Sequence, residues 1–445
     1  MDRRSFLTTA LAASLPLPAF ALTDPGRPLA LKDAARDAYF YGLPLIEMAA
    51  TRARAMSPNR PGGPSRINAF KHVRALLTPK DRVVTGPNND TLYSTAWLDL
   101  RGGPVTVDIP ALGDRYFSLQ LMDMFTNTVA VLGTRTIGGE GGSFTIVGPE
   151  GPVPPGAIRS PTPDMWMLGR MLIDGEADLP AAHQLQDRLV LKAPPPDAAL
   201  RRFADHNSVW QDYFDSVQAL LAANPPPATD DALFSRVAQL GLGAKSGFDS
   251  ARFSMQQAEQ IAKGVEEARG AVMKAFRFRI VDGWAYPPQD LGDFGQDYLF
   301  RGSVAQTGLA ALIPAEAMYL RPLSANGTMD FDGDGLWRMH FENGGPPVDA
   351  FWSVTMYEVT PDHQGFLTEN AINRYSIGDR TPGIVKNMDG SLDVWISRTD
   401  PGAARRSNWL PAPKSGPFLM SLRNYLPRPE MIDGRYHLKP VEKVA

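Results

Sequence analysis

Residues 86–100 read GPNNDTLYSTAWLDL. After the turn-forming run Gly86, Pro87, Asn88, Asn89, Asp90, the side chains alternate with a period of two. Leu92, Ser94, Ala96, Leu98 and Leu100 fall on one face, and Thr91, Tyr93, Thr95, Trp97 and Asp99 on the other, which is the spacing of a β-strand. The polar cluster at its mouth has two readings. It caps a turn ahead of an edge strand, or it rims a ligand site floored by Tyr93 and Trp97. Aromatic faces stack on polar rings while amides and carboxylates exchange hydrogen bonds with them.

Downstream, RYFSLQLMDMF (115–125) alternates more cleanly, with Phe117, Leu119 and Leu121 on one side and Tyr116, Ser118 and Gln120 on the other. GSFTIVGP (142–149) makes a further strand. The stretch from Val83 to about Pro161 therefore predicts a small antiparallel β domain with one apolar face. From 164 to 312 the period changes. Phe203, Trp210, Phe214, Val217 and Leu221 recur at three- and four-residue steps, as do Met255, Ala258, Ala262, Val265, Val272 and Phe276, predicting core-facing helices. A third helix is expected within 294–312. Beyond Glu316, AFWSVTMYEV, SLDVWISRT and PFLMSLRNYLP alternate again between turn-rich spacers, as in a sandwich or jelly roll. Upstream, residues 30–56 read as two helices bent at Gly42-Leu43-Pro44, because Pro44 has no amide to donate.

The fold class expected is mainly β with a helical middle: two antiparallel β-sandwich or jelly-roll-like domains and an α-helical domain between them. The boundaries expected are a signal peptide at 1–21, an N-terminal helical arm at 22–66, a β domain at 67–162, a helical domain at 163–315 and a β-sandwich at 316–445.

Composition narrows the function classes. The chain has 445 residues, 43% of them hydrophobic, and a net charge of −3 with no basic block, which argues against nucleic-acid binding. Cysteine is absent, so disulfides, thiolate catalysis and iron–sulfur clusters are excluded. MDRRSFLTTALAASLPLPAFA (1–21) joins Arg3-Arg4 to a short apolar run and an Ala19-Phe20-Ala21 end, the pattern of an export signal of twin-arginine type. No later segment has 18 uninterrupted apolar residues. The mature protein is expected in the periplasm or secreted, with no transmembrane segment.

Two sets of stretches resemble known families. AYFYGLPLIEM, GPNNDTLYSTAWLDL and DRYFSLQLMDMFTN are similar to the domain of unknown function 1254. FWSVTMYE, NRYSIGDR, NMDGSLDVWIS and NWLPAPKSGPFLMSLRNYLP are similar to the domain of unknown function 1214. The two occur in that order in exported bacterial chains. The resemblance implies two β-sandwich domains flanking helices and no established reaction.

Chemistry-bearing residues are few. There is no G-x-S-x-G elbow, H-E-x-x-H pair or Walker loop, and the six histidines are scattered. No cofactor is expected and no metal site is assigned. DFDGDGLWR offers calcium only at Asp330, Asp332 and Asp334, and Phe341 stands where the closing acid belongs. Asp123 falls by alternation on the apolar face of its strand. It either turns outward at a β-bulge or is a carboxylate beside a pocket, partnered by Arg115, Arg374 or Arg423. Asp90 and Asp123 are the acid–base candidates. The substrate-binding candidates are Asn89, Tyr93, Trp97, Tyr116 and Gln120 in the first β domain, and Trp352, Tyr357, Asn370, Arg374, Tyr375, Asn408 and Trp409 in the second, with Arg374 as an anion clamp. Interdomain packing is the alternative role for the second set. Three functions fit: an enzyme of hydrolase- or lyase-like acid–base chemistry on a small polar or carbohydrate-like substrate, a periplasmic ligand-binding protein without catalysis, or an envelope assembly module that forms a homo-oligomer.

Overall fold

The computed structural model describes residues 28–60, 62–82, 85–196, 201–243, 245, 247–361 and 363–444. The export signal lies outside them. Among the described residues no helix is long and apolar enough to cross a membrane. Helix and strand each account for 26% of the chain, and several antiparallel sheets form sheet-rich regions on either side of the helices, consistent with the fold class expected.

The period-two segments form the first sandwich. A five-stranded antiparallel sheet runs Lys71–His72, Thr91–Asp99, Asp164–Leu172, Phe117–Asp123, Thr128–Gly133. It packs through Leu92, Leu98, Leu119, Leu121, Met165 and Met167 against a four-stranded sheet that includes Val105–Ile109 and Gly142–Val147. The central strand, Asp164–Leu172, falls in the region expected to be helical from 163. Its nine residues are all buried, and its MWMLGRML run is apolar on both faces, without the alternation that Ser118 and Gln120 give the equally buried Phe117–Asp123.

The helices gather around Leu31–Met56, which is one helix with Pro44 inside it rather than a bent pair, and a centre rather than an arm. Trp210–Ala223, Met255–Val272 and Tyr298–Thr307 pack around it. Their packing holds the helix together across the hydrogen bond that Pro44 cannot make. Two glycines allow the close approach. A Cβ at Gly264 would stand 2.1 Å from the Lys32 carbonyl oxygen, and one at Gly302 would stand 3.3 Å from that of Phe40, the group Pro44 leaves without its donor.

The second sandwich pairs a seven-stranded sheet with a four-stranded one that contains Trp337–Phe341 and Leu392–Ser397. The larger sheet runs Arg279–Val281, Trp284–Tyr286, Ala317–Pro322, Phe418–Pro427, Val348–Val359, Gly365–Phe366, and Ser376–Gly378 also pairs with Val348–Val359. Its inner face, with Met318, Leu320, Val354, Met356 and Leu422, builds the core. The expected boundary at 316 thus cuts this sheet, because Trp284 and Tyr286 from the helical region belong to its core.

The outer face of the five-stranded sheet is shared between neighbours. Trp97, Met122 and Trp166 lie under the helices, whereas Tyr116 and Leu172 pack against Phe351 and Tyr425 of the second sandwich.

Candidate functional site between the two sandwiches

Alternation decides what the seven-stranded sheet presents outward. With Met318, Leu320 and Leu422 turned into the core, Tyr319, Arg321, Arg423 and Tyr425 must face the first sandwich. Register sets Tyr319, Arg423 and Ser353 side by side across three strands. In the opposing sheet Tyr93 lies beside Arg170. A polar cleft between the sandwiches results.

Its rim is the stretch with which the sequence reading began. Asn88 Nδ2 donates to the Tyr425 hydroxyl (2.7 Å), and Ser353 Oγ donates to Asp90 Oδ2 (2.6 Å). The Pro87 carbonyl accepts from the Tyr357 hydroxyl (2.8 Å) and from Arg423 Nη2 (3.3 Å). The same Arg423 nitrogen donates to the Gly86 carbonyl (3.0 Å) and to the Tyr357 hydroxyl (2.6 Å). Asn89 turns away, donating to the Leu77 carbonyl. The polar trio is therefore a turn and a rim at once.

Deeper in, the Arg170 guanidinium lies 5.6 Å from the Tyr93 ring centroid and donates to Gln120 Oε1 and the Ala310 carbonyl. Arg423 lies 6.0 Å from the Tyr319 ring. Tyr116 donates to Glu316 Oε1 (3.0 Å), whose other oxygen accepts from Arg135 Nε. Burial raises the pKa of the Tyr319, Tyr357 and Tyr425 phenols and lowers that of Arg321. Yet Tyr93, Tyr319 and Arg321 each keep part of their surface accessible. These three thus stay partly accessible beside Tyr357 and Tyr425, which are fully buried. Arg423 interacts with Asp90, Arg170 with Glu316, and Arg321 lies near Asp330. Glu316 is engaged by Arg135, and the exposed Asp379 accepts from the Trp352 amide (3.3 Å).

Tyr93, Tyr116, Gln120, Tyr357 and Asp90 are thus brought together. The remaining candidates are not. Trp97 is 1% exposed and stacks on Trp166 with ring centroids 5.1 Å apart. It is sealed under the helices rather than open to a ligand. Asp123 is 2% exposed and follows a register shift at Leu121/Met122, but it turns to its own loop instead of outward. Its carboxylate accepts from the amides of Phe125 and Asn127 and from Asn127 Nδ2, each at 2.9 Å. Burial still raises its pKa. None of the three arginines named as its partners serves it: Arg115 pairs with Asp178, Arg374 binds carbonyls, and Arg423 holds the rim.

The acid–base pair fails on register. Asp90 accepts from the Ile173 amide, and Asp123 lies opposite Met165. Eight residues along that strand set the two backbone positions about 26 Å apart, a gap that two short aspartate side chains do not close to the roughly 5–9.5 Å that glycoside-type chemistry requires. In the second sandwich, Trp352 packs on Phe341 in the core. Asn370 ties its own loop through Arg374 N and O, and the Tyr375 hydroxyl reaches Asn373. Asn408 clamps Val385, and Trp409 Nε1 donates to the Ser397 carbonyl. Arg374 Nη1 donates to the Ser407 and Trp409 carbonyls, so it ties loops rather than clamping an anion. These residues stabilise the C-terminal loops and core.

Asp330, Asp332 and Asp334 do not converge. They pair with His363, Lys443 and Arg398 respectively, and no group of three histidine or acidic side chains suited to a metal occurs among the described residues. A separate surface hollow of about 280 Å³ is walled by Arg82, Glu358, Glu369 and Lys414. Arg82 and Glu358 pair with each other at 2.6 Å, and with Glu369 and Lys414 the four wall charges balance.

Sequence reasoning missed Arg170, Tyr319, Arg321, Ser353 and Tyr425. Arg170, the lone charge inside MWMLGRML, was the available signal.

One solved structure shares this architecture, and none of the comparisons names a reaction. The crystal structure of the VPA0106 protein from Vibrio parahaemolyticus, 25% identical, matches 94% of this chain and 100% of its own with a TM-score of 0.71. An uncharacterized protein from Burkholderia cenocepacia, 13% identical, matches 93% of this chain and 94% of its own with a TM-score of 0.44. No curated protein matches the chain significantly. Residues 67–193 match the family described as "Protein of unknown function (DUF1254)", and residues 316–429 match "Protein of unknown function (DUF1214)". The chain belongs to the proteins that join a domain of unknown function 1254 to a following domain of unknown function 1214.

Proposed function

We propose that the protein binds a small polar molecule in the cleft between its two sandwiches, and that it does so after export, in the periplasm or outside the cell. One observation carries the binding role: Tyr93, Tyr319 and Arg321 keep accessible surface in a region deep enough to desolvate their neighbours. A purely structural interface would close over such groups. Hydrolysis by paired carboxylates loses its geometry with the separation of Asp90 from Asp123, so binding is the reading that fits best.

A thermal-shift panel of sugars, organic acids and phosphorylated metabolites tests it. A ligand at a hundred times its Kd stabilises by about 2.7 kcal/mol, and Tyr319→Ala should abolish the rise. A panel that leaves Tm unmoved, or a rise that survives Tyr319→Ala, removes the cleft as the site. For export, Arg3→Lys with Arg4→Lys should leave an uncleaved precursor in the cytoplasm. Unchanged periplasmic accumulation would assign the leader to the general secretory route.

A further inference from the structure

The charge of the cleft says more about its ligand. Among the described residues Arg321 has no hydrogen-bond or ion-pair partner, although Arg423 and Arg170 are tied to carbonyls, hydroxyls and an amide. A Cβ at Gly86 would stand 4.0 Å from Arg321 Nη2, so its guanidinium reaches the rim. Tyr319 is two residues away on the same face, and the Tyr93 ring lies across the cleft with its hydroxyl likewise unbonded among the described residues. The carboxylates nearby are engaged elsewhere: Asp90 accepts from Ser353, Glu316 from Arg135 and Tyr116, and Asp330, which acts on Arg321 through space without an ion-pair contact, lies 3.6 Å from His363. A desolvated guanidinium without a partner is costly, and its planar fork matches an oxyanion.

Resting on the binding role proposed above, we infer that the ligand is a small oxyanion, carboxylate, sulfonate or phosphate, whose charged end docks on Arg321 with the Tyr93 hydroxyl donating to it. The tyrosine walls take a flat or apolar remainder, and Arg170 and Arg423 position the rings and the rim.

Calorimetric titration of the full mature chain with benzoate, benzenesulfonate, phenyl phosphate and the neutral benzamide tests this. At least one anion should bind tenfold or more tightly than benzamide, and more weakly as salt rises. The preferred anion distinguishes a carboxylate from a sulfonate or phosphate ligand. Arg321→Gln should erase that preference, Arg321→Lys should keep part of it, and Arg82→Gln in the separate surface hollow should leave it intact. Because Arg321 has no partner to lose, the variants should keep the parent's Tm. Benzamide binding as tightly as the anions, with loss on Tyr319→Ala, overturns the oxyanion assignment and leaves the cleft standing. Anion binding unaltered by Arg321→Gln overturns the assignment as well. Silence of all four probes overturns the assignment, and the cleft reading falls separately if the wider metabolite panel is also silent.

Discussion

The two ends of the Thr91–Asp99 strand carry aromatic residues on one face, four positions apart, and do opposite things. At the Trp97 end, Trp97 stacks on Trp166, whose Nε1 donates to Thr95 Oγ1 (2.7 Å). Nearby Asp164 answers Arg101 at 2.9 Å and Arg52 at 3.3 Å, and accepts from Asn224. Burial alone would raise the Asp164 pKa, yet these partners hold it below the usual carboxylate range. At the Tyr93 end Arg423 lies near Asp90, and Arg321 has no hydrogen-bond or ion-pair partner among the described residues. The sealed end pairs its charges and leaves only the buried Trp97 Nε1 of the stacked rings without a partner, whereas the other end leaves the charge of Arg321 unpaired among the described residues. Sharing a face of a strand does not mean sharing an environment.

Mutations at the two ends can break this contrast. Trp97→Ala should be the most damaging, costing roughly 3–5 kcal/mol in urea unfolding. A cost as large for Tyr93→Ala would end the distinction between a sealed and an open end. Asp164→Asn leaves Arg52 without its carboxylate and Arg101 with Asp99 alone, and should cost about 3 kcal/mol, with ligand binding in the cleft unaltered. Tyr93→Phe removes only a hydroxyl with no partner among the described residues. Stability should stay within about 0.5 kcal/mol of the parent while affinity for the anionic probe falls.

The smallest effect expected is a pH dependence on the sealed side. His206 Nδ1 lies 2.6 Å from Glu47 Oε1, and that hydrogen bond raises the imidazole pKa above its ordinary 6.5. A raised histidine stabilises the fold fully below the unfolded-state value, and the contribution is lost as pH rises through the folded one. Tm should therefore decline by a degree or two from pH 6 toward alkaline pH, relative to Glu47→Gln. An identical pH profile in the two proteins would show that the pair contributes nothing.

Period-two alternation exposed the half-polar strands at 91–99 and 117–123, and 3.6-residue spacing exposed the central helices. Strand Asp164–Leu172 escaped because its apolar residues fill both faces, whereas the equally buried 117–123 keeps Ser118 and Gln120 on one, and the Pro44 helix escaped because its neighbours compensate for a local break. The site followed the same divide. Asp90 and Tyr93 were legible as a polar mouth on an alternating strand. Arg321, Arg423 and Tyr425 acquire their meaning from lateral register across Ala317–Pro322, Phe418–Pro427 and Val348–Val359, a relation that no local window contains. Asp123 misled because an acid on an apolar face has two remedies, a distant partner or its own loop, and the sequence does not choose between them.

The rim also bears on inheritance. Gly86, Pro87, Asn88 and Asp90 lie within the stretch matching one family, and Arg423, Tyr357, Tyr425 and Ser353, which hold them, within the stretch matching the other. Either half expressed alone would carry a surface of severed donors and acceptors. Gene fission between the halves is therefore disfavoured from both sides, and the modules gain by descending as a unit.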